Sequence, residues 1–350
     1  MPNNLGHEYI GVIHCHSVFS DGSAYPDEIA KIANEVGLDF LVLTDHNTLR
    51  AKNKYERIYG KTHLFVGTEL NDKNNKNHYL AIGIDKSITT RISAKEYVKK
   101  INELGGFGFI AHPDECRNFY KEYPPFPWDC WECEDFTGIE IWNHMSEWLE
   151  NLNEENKYYN VRHPRKSLNS PKDITLKRWD ELNLTREVVG VAGADAHAHK
   201  VNILGMFQVE IFPYKVMFLT LRNHIWLENE IKYNAEEFEK NRSAIYNALK
   251  NGKLFFANDY IENSKGFKFY GQFENQTIFS LATIPLEKKP KLFIEIPSKN
   301  THTLVLHNSK IKYEVKENYF EFIPNEKGVY RVEVLKDNKK WIFSNPIRII

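Results

Sequence analysis

Histidines and acidic residues recur through the first 200 positions in short groups, each of a kind able to hold a divalent cation. His14 and His16 flank Cys15, and Asp21 follows shortly afterwards, before Gly22. Asp45 and His46 stand together, Glu69 ends Gly67-Thr68-Glu69, and His112 sits between Ala111 and Pro113. Asp195 and His197 close the run Gly193-Ala194-Asp195-Ala196-His197. Imidazole nitrogens with carboxylate oxygens are the ligand set of zinc, iron or manganese, and their number exceeds what one ion needs. The groups therefore predict a site for two or three metal ions. Each alone is weak, since a His-x-His pair is more often solvated and a buried histidine at a strand end is usually a satisfied polar residue. Their joint placement carries the expectation.

That placement follows short apolar runs, at 9–13, 40–43, 64–66, 79–84, 107–111, 138–142 and 188–192. Each is bounded by polar residues or glycine, as buried strands are. Between them lie helical patterns. Ile29, Ile32, Ala33 and Val36 share one helix face after Pro26 and before Gly37. Ala94, Tyr97, Val98, Ile101 and Leu104 repeat the spacing, with Ser93 and Glu96 as a capping box and Gly105-Gly106 as the stop. Strand–helix alternation predicts an α/β layer or barrel. In a closed parallel barrel the carboxyl ends of the strands converge on one face, which would bring residues 14 and 197 into one pocket. His144, after the run at 138–142, and His199 fall near the same ends.

The stretch 115–177 carries Pro124, Pro125, Pro127, Pro164 and Pro171 and reads as active-site loops and short helices around one strand. A helix is expected over about 235–250, before Gly252. From about residue 285 short alternating runs are separated by turn residues every 8–12 positions, the pattern of a small β-sandwich. The expected division is a catalytic α/β barrel over 1–284, insert included, and a sandwich over 285–350 remote from the metal chemistry.

The 350 residues carry 46 Lys+Arg against 47 Asp+Glu, a formal charge of −1, without the basic excess of a nucleic-acid coat protein. Hydrophobic residues at 42% and charged residues at 27% exclude wholesale disorder. No apolar run is long enough to span a membrane, and the short polar start at residues 1–8 lacks a signal-peptide core, so a cytoplasmic setting is expected. Cys15, Cys116, Cys130 and Cys133 are too few for a disulfide scaffold. Cys130 and Cys133 could form half of a zinc knuckle, but no second Cys-x-x-Cys completes it, so no metal is expected there.

The motifs His14-Cys15-His16-Ser17-Val18-Phe19-Ser20-Asp21-Gly22, Leu43-Thr44-Asp45-His46-Asn47-Thr48, Gly67-Thr68-Glu69, Ala111-His112-Pro113 and Gly193-Ala194-Asp195-Ala196-His197 occur in one order over residues 8 to about 200. Together they resemble the polymerase and histidinol phosphatase (PHP) superfamily of metal-dependent phosphoesterases. The resemblance implies a distorted seven-stranded (β/α)7 barrel and a trinuclear site. His14, His16, Glu69 and Asp195 would hold one ion, Glu69, His78 and His112 a second, and Asp21, His46 and His197 a third, with Glu69 bridging two. His78 comes from the family pattern alone, because it begins an apolar run instead of ending one. The final segment, with Gly328-Val329-Tyr330-Arg331-Val332-Glu333-Val334, resembles the immunoglobulin-like appendage of some bacterial members.

Such a site implies hydrolysis of a small phosphorylated substrate, a monoester or diester of a metabolite or nucleotide, by metal-activated hydroxide. Glu69 and Asp195 would serve the chemistry as well as the metals. His144 and His199 are candidates to protonate the leaving oxygen or to orient a ligand, and Arg117 to fork a phosphate. Arg162, His163, Arg165 and Lys166 form a basic cluster that reads first as a solvated surface. The alternatives are a histidinol-phosphatase-like enzyme, a PHP-type 3′-5′ exonuclease limited to nucleotides or short oligonucleotides, and a sugar- or surface-binding module with secondary hydrolysis.

Overall fold

The apolar runs become strands: His7–Cys15 (β1), Phe40–Leu43 (β2), Thr62–Val66 (β3), Thr68–Leu70 (β4), Tyr79–Ile82 (β5), Phe107–Ile110 (β6), Gly138–Asn143 (β7) and Val189–Ala196 (β8). The structure is a computed structural model describing residues 6–117, 119, 121, 124–203, 207–279 and 281–350, with backbone alone at 201–203 and 207–209. β2, β5, β6 and β7 are buried at every position, as continuous apolar runs demand. The chain is a mixed α/β protein with one large sheet system. β1 pairs in parallel with β2 and β8, β2 with β3, β6 with β7, and β7 with β8. β5 runs antiparallel to β4 and to β6. Only Gly67 separates β3 from β4, so the pairing returns on itself as a closed circuit. A Cβ at Gly67 would stand 2.4 Å from the Ala81 carbonyl oxygen, which is why the bend takes glycine. The expectation of wholly parallel strands is thus corrected at β5.

Two expected helices cover the circuit. Pro26–Glu35 (α1) begins with proline at its first position and buries Ile29, Ala30 and Ala33. Ala94–Glu103 (α2) is closed by the Ser93–Glu96 capping box and buries Tyr97, Val98 and Ile101. The 115–177 stretch holds His144–Glu150 (α3), Lys157–Arg162 (α4), a 3-10 turn at Pro164–Ser167 and the start of Asp173–Asn183 (α5). Cys130 and Cys133 are free thiols packed into the apolar core with Trp128 and Phe136, and burial pushes both pKa values up. Helix Phe238–Lys250 (α6) follows a 3-10 turn at Ala235–Glu237.

Strands occupy each alternating run after residue 285. The same sheets also take in Lys268–Phe273, Gln276–Phe279 and Ala282–Ile284, which lie before that point. Side chains from both C-terminal sheets, Phe269, Leu292 and Ile294 with Val305, Val332 and Ile347, meet in one apolar cluster. Leu254–Asn258 (β10) lies between Leu221–Leu227 (β9) and Lys339–Ser344, antiparallel to both. Arg331, 2% exposed, reaches from this region to Asp180 of α5, and the Asn345 side chain bonds the Gly190 backbone of β8 in both directions.

Candidate metal centre

His14, His16, Asp21, His46, Glu69, His78, His112, Asp195 and His197 meet in one pocket at the ends of β1, β2, β4, β6 and β8 and at the start of β5. The reversal of β5 explains His78. Tyr79, its first residue, pairs with Ile110 at the end of β6, so the start of β5 lies where the parallel strands end. Spacing arguments built on parallel strands pass over such a residue. His78 follows Asn77, whose side-chain oxygen accepts from the backbone N–H groups of Asp129 and Cys130 and whose amide donates to Asp72.

Glu69 occupies the middle of the pocket. Its Oε2 faces His14 Nε2 at 3.2 Å, His16 Nε2 at 3.3 Å and His46 Nδ1 at 3.2 Å. Its Oε1 faces His78 Nδ1 at 2.7 Å and His112 Nε2 at 3.2 Å. A parallel bridge to His46 and the bond from Asn47 N–H to its carbonyl fix its backbone. Asp195 Oδ1 lies 3.4 Å from His14 Nε2, 3.5 Å from His16 Nε2 and 3.6 Å from His197 Nδ1. Asp21 Oδ2 lies 3.5 Å from His46 Nε2 and 3.4 Å from His197 Nε2. The donor atoms fall into overlapping groups: His16, Asp21, His46 and His197; His14, His112 and Asp195; His14, His16 and Glu69; and His46, Glu69 and His78. The grouping overlaps the three family sets but also joins His16 to Asp21, His46 and His197, His112 to His14 and Asp195, and His46 to Glu69 and His78.

Burial alone would push the imidazoles of His14, His46, His112 and His197 down, but nearby carboxylates hold them above the usual range, whereas burial prevails at His78 and lowers it. Glu69, Asp21 and Asp195 hold the His46 pKa at about 9, and Glu115 and Glu69 hold His112 at about 9. Against the upward pull of burial, the histidines keep Glu69 and Asp195 well below the usual carboxylate range. His16 Nε2, His78 Nε2 and His112 Nδ1 are buried without a hydrogen-bond partner. Anionic oxygens beside unpartnered imidazole lone pairs suit divalent cations, so the residues fit the metal chemistry that their types suggest. His14 (φ +64°) and Asp195 (φ +54°) sit in the left-handed region, a strain tolerated where function fixes geometry.

Glu140 escaped sequence reasoning because it lies inside the apolar run of β7. Its Oε1 takes the His14 Nδ1 proton at 2.8 Å, leaving His14 Nε2 turned toward Glu69 and Asp195. Its Oε2 accepts from His112 N–H and from the Asn143 amide, each at 2.8 Å. A Cβ at Gly193 would stand 1.6 Å from Glu140 Oε1, so this glycine makes room for the carboxylate. The Asp45 carboxylate accepts from Ser17 N–H, the Ser17 hydroxyl and the Ser20 hydroxyl.

The other candidates divide. Arg117 and His199 line the adjoining cavity, of about 650 Å³, with the metal-facing side chains and Lys200. Arg117 Nε donates to Glu115 Oε1 at 2.8 Å, which anchors its guanidinium. The His199 ring stacks on His197 at 4.9 Å. His144 is fully buried against Phe212, lies outside the cavity lining, and burial lowers its pKa to about 3. The Arg162–Lys166 cluster also lies outside the lining, with Arg165 over the Tyr260 ring.

No protein-family model matches the chain. An uncharacterised protein of Methanocaldococcus jannaschii is 29% identical over 98 residues, which is 27% of this chain and 56% of that relative's length. Similar solved structures include a two-domain protein from Bacteroides vulgatus containing a predicted PHP-like metal-dependent phosphoesterase. That likeness has 13% identity, covers 98% of this chain and 96% of the other, and has a TM-score of 0.45. A candidate metal-dependent phosphoesterase from Bifidobacterium adolescentis is 16% identical, covering 57% of this chain and 92% of its own, with a TM-score of 0.34. An amidohydrolase from Chromobacterium violaceum with bound sulfate is 13% identical, covering 53% of this chain and 87% of its own, at 0.31. At such identities and scores the chemistry rests on the side chains just described.

Proposed function

We propose that this chain is a metal-dependent hydrolase of small phosphate esters of the PHP type, its bridging carboxylate being Glu69. The observation that carries the reading is the split environment of that side chain, with Oε2 turned to His14, His16 and His46 and Oε1 to His78 and His112. Asp195, Asp21 and His197 complete the donor set. Two or three ions of zinc, manganese or iron in such a set supply a water of lowered pKa and charge to neutralise phosphate oxygens. The chain's own residues do the rest. Arg117 donates to a phosphate oxygen, its guanidinium oriented by Glu115, and His199, which lines the same cavity, delivers a proton to the leaving oxygen. A cavity of about 650 Å³ suits a small molecule.

Counting β3 and β4 as one bent strand, the circuit is read as the (β/α)7 barrel, and the C-terminal sheets as its immunoglobulin-like sandwich. The division then falls after β10, near residue 260, and not at 285, because the strands from Lys268 onward already pair in the C-terminal sheets. The test is a panel of phosphomonoesters and phosphodiesters assayed with Mn, Zn or Fe, with elemental analysis of the same preparations. Metal-dependent turnover is expected. Failure to bind metal under replete conditions, or loaded protein without turnover on any ester, would overturn the reading.

A further inference from the structure

The cavity beside the metal centre is lined by two unlike sets of side chains. One carries Glu69, His78, His112, Asp195 and His197, with Arg117, His199 and Lys200 also lining the space. The other is built from Met145, Trp148, Leu149, Val161 and Phe212. None of these five has a polar side-chain atom free to face a ligand. The Trp148 indole N–H, the single donor among them, is committed to the Asn160 carbonyl oxygen at 3.0 Å. Trp148 meets Phe212 edge to face at 4.4 Å, and both pack into the core that carries α3, so the wall is preformed. Phe126 extends apolar surface toward the metal side, stacked on His78 at 4.8 Å.

We infer that the ester this site takes carries an apolar leaving alcohol of about ring size, seated on the Trp148–Phe212 wall, and not a sugar or other polyol. This rests on the phosphoesterase reading. A hydroxylated group held against that wall would lose its water without gaining hydrogen-bond partners, whereas apolar carbon gains by leaving water. In the reaction a bond forms between water oxygen and phosphorus, the bond from phosphorus to the alcohol oxygen breaks, and the alcohol departs with a proton. The wall receives the departing carbon skeleton while the charged side keeps the phosphate.

The experiment uses the metal-loaded full chain and leaving groups of comparable intrinsic reactivity. Benzyl phosphate and glycerol 1-phosphate are compared by kcat/KM, and their methyl diesters are run in parallel. Binding of benzylphosphonate and 2-hydroxyethylphosphonate is measured by calorimetry, which reads the wall without turnover. A preference for the benzyl compounds of at least about tenfold is expected in both measurements. Leu149→Asn, at a half-buried position, narrows that preference to within about threefold, with Val161→Thr as a milder second variant. Equal or better use of the glycerol ester, with equal binding of the two phosphonates, overturns the apolar-wall proposal while leaving the hydrolase standing. Tight benzylphosphonate binding without hydrolysis of any ester supports the wall and instead removes the phosphoesterase reading.

Discussion

Arg331 and Glu69 are both nearly fully buried charged side chains, 2% and 1% exposed, yet their surroundings differ in kind. Around Arg331 the network closes. Asp180 takes Nε at 2.6 Å and Nη2 at 3.1 Å, Glu333 takes Nη1 at 2.6 Å, and Lys340 binds the other Glu333 oxygen. Two cations face two anions, all supplied by the chain. Around Glu69 no lysine or arginine pairs with Glu69, Asp195 or Asp21 among the described residues, and three imidazole nitrogens have no hydrogen-bond partner. A closed cluster fixes one arrangement of the fold, whereas an open one accepts cations from outside.

The sharpest way to break this contrast is to open the closed cluster. Arg331→Met leaves Asp180 and Glu333 buried with one partner removed, and stability should fall by about 3–5 kcal/mol in urea or thermal unfolding. Metal content per folded molecule should stay unchanged. A variant as stable as the parent would show that the network contributes little. At the open cluster, Glu69→Gln keeps the volume but removes the charge shared by both sets of imidazoles. Metal occupancy should drop and kcat should fall at least about a hundredfold, since the ions would lose the carboxylate proposed to bridge them. Full metal loading with near-normal turnover would remove Glu69 from the bridging role.

Glu140→Gln should act more gently. It keeps a hydrogen-bond acceptor beside His14 but loses the negative charge, so metal affinity should weaken about 10- to 100-fold, measured by competition with a chelator. An unchanged affinity would reduce Glu140 to packing. The smallest effect concerns pH. In the metal-free protein His46 and His112 have pKa values near 9, above those of the unfolded chain, so they stabilise the fold fully below about pH 6.5. That stabilisation is lost as pH rises through 9. Thermal melts of metal-free protein should therefore decline between these values, and metal uptake should release protons there, read by calorimetry in two buffers. Melts that improve toward pH 9 would contradict the proposed balance of charges.

Much of this was legible in the sequence, for definite reasons. Apolar runs such as 40–43 admit little besides buried strands, and Ser93 with Glu96 encodes its cap locally. The clustered histidines were visible because strand ends bring distant positions together. What escaped depended on direction and depth. The reversed course of β5 is a pairing fact that spacing alone does not carry, and it placed His78. Glu140 looked like a strand residue because its partners, His14 and His112, are distant in the chain. His144 followed a strand like the others, yet its ring turned into the core against Phe212. The boundary expected at 285 rested on turn spacing, which does not register that Lys268–Phe273 pairs with Lys291–Glu295.

The position of β10 bears on the order in which the chain can fold. One edge joins β9, close in sequence, but the other waits for Lys339–Ser344, and Gly190 waits for Asn345, 155 residues away. During synthesis, then, Phe256 lacks its stacking partner Phe343, and the Gly190 N–H and carbonyl lack Asn345, until those later residues have emerged. Contacts of such long range slow folding, because a large loop must close before they are made. Until they form, β10 presents an open edge to any other strand, including that of a neighbouring nascent chain.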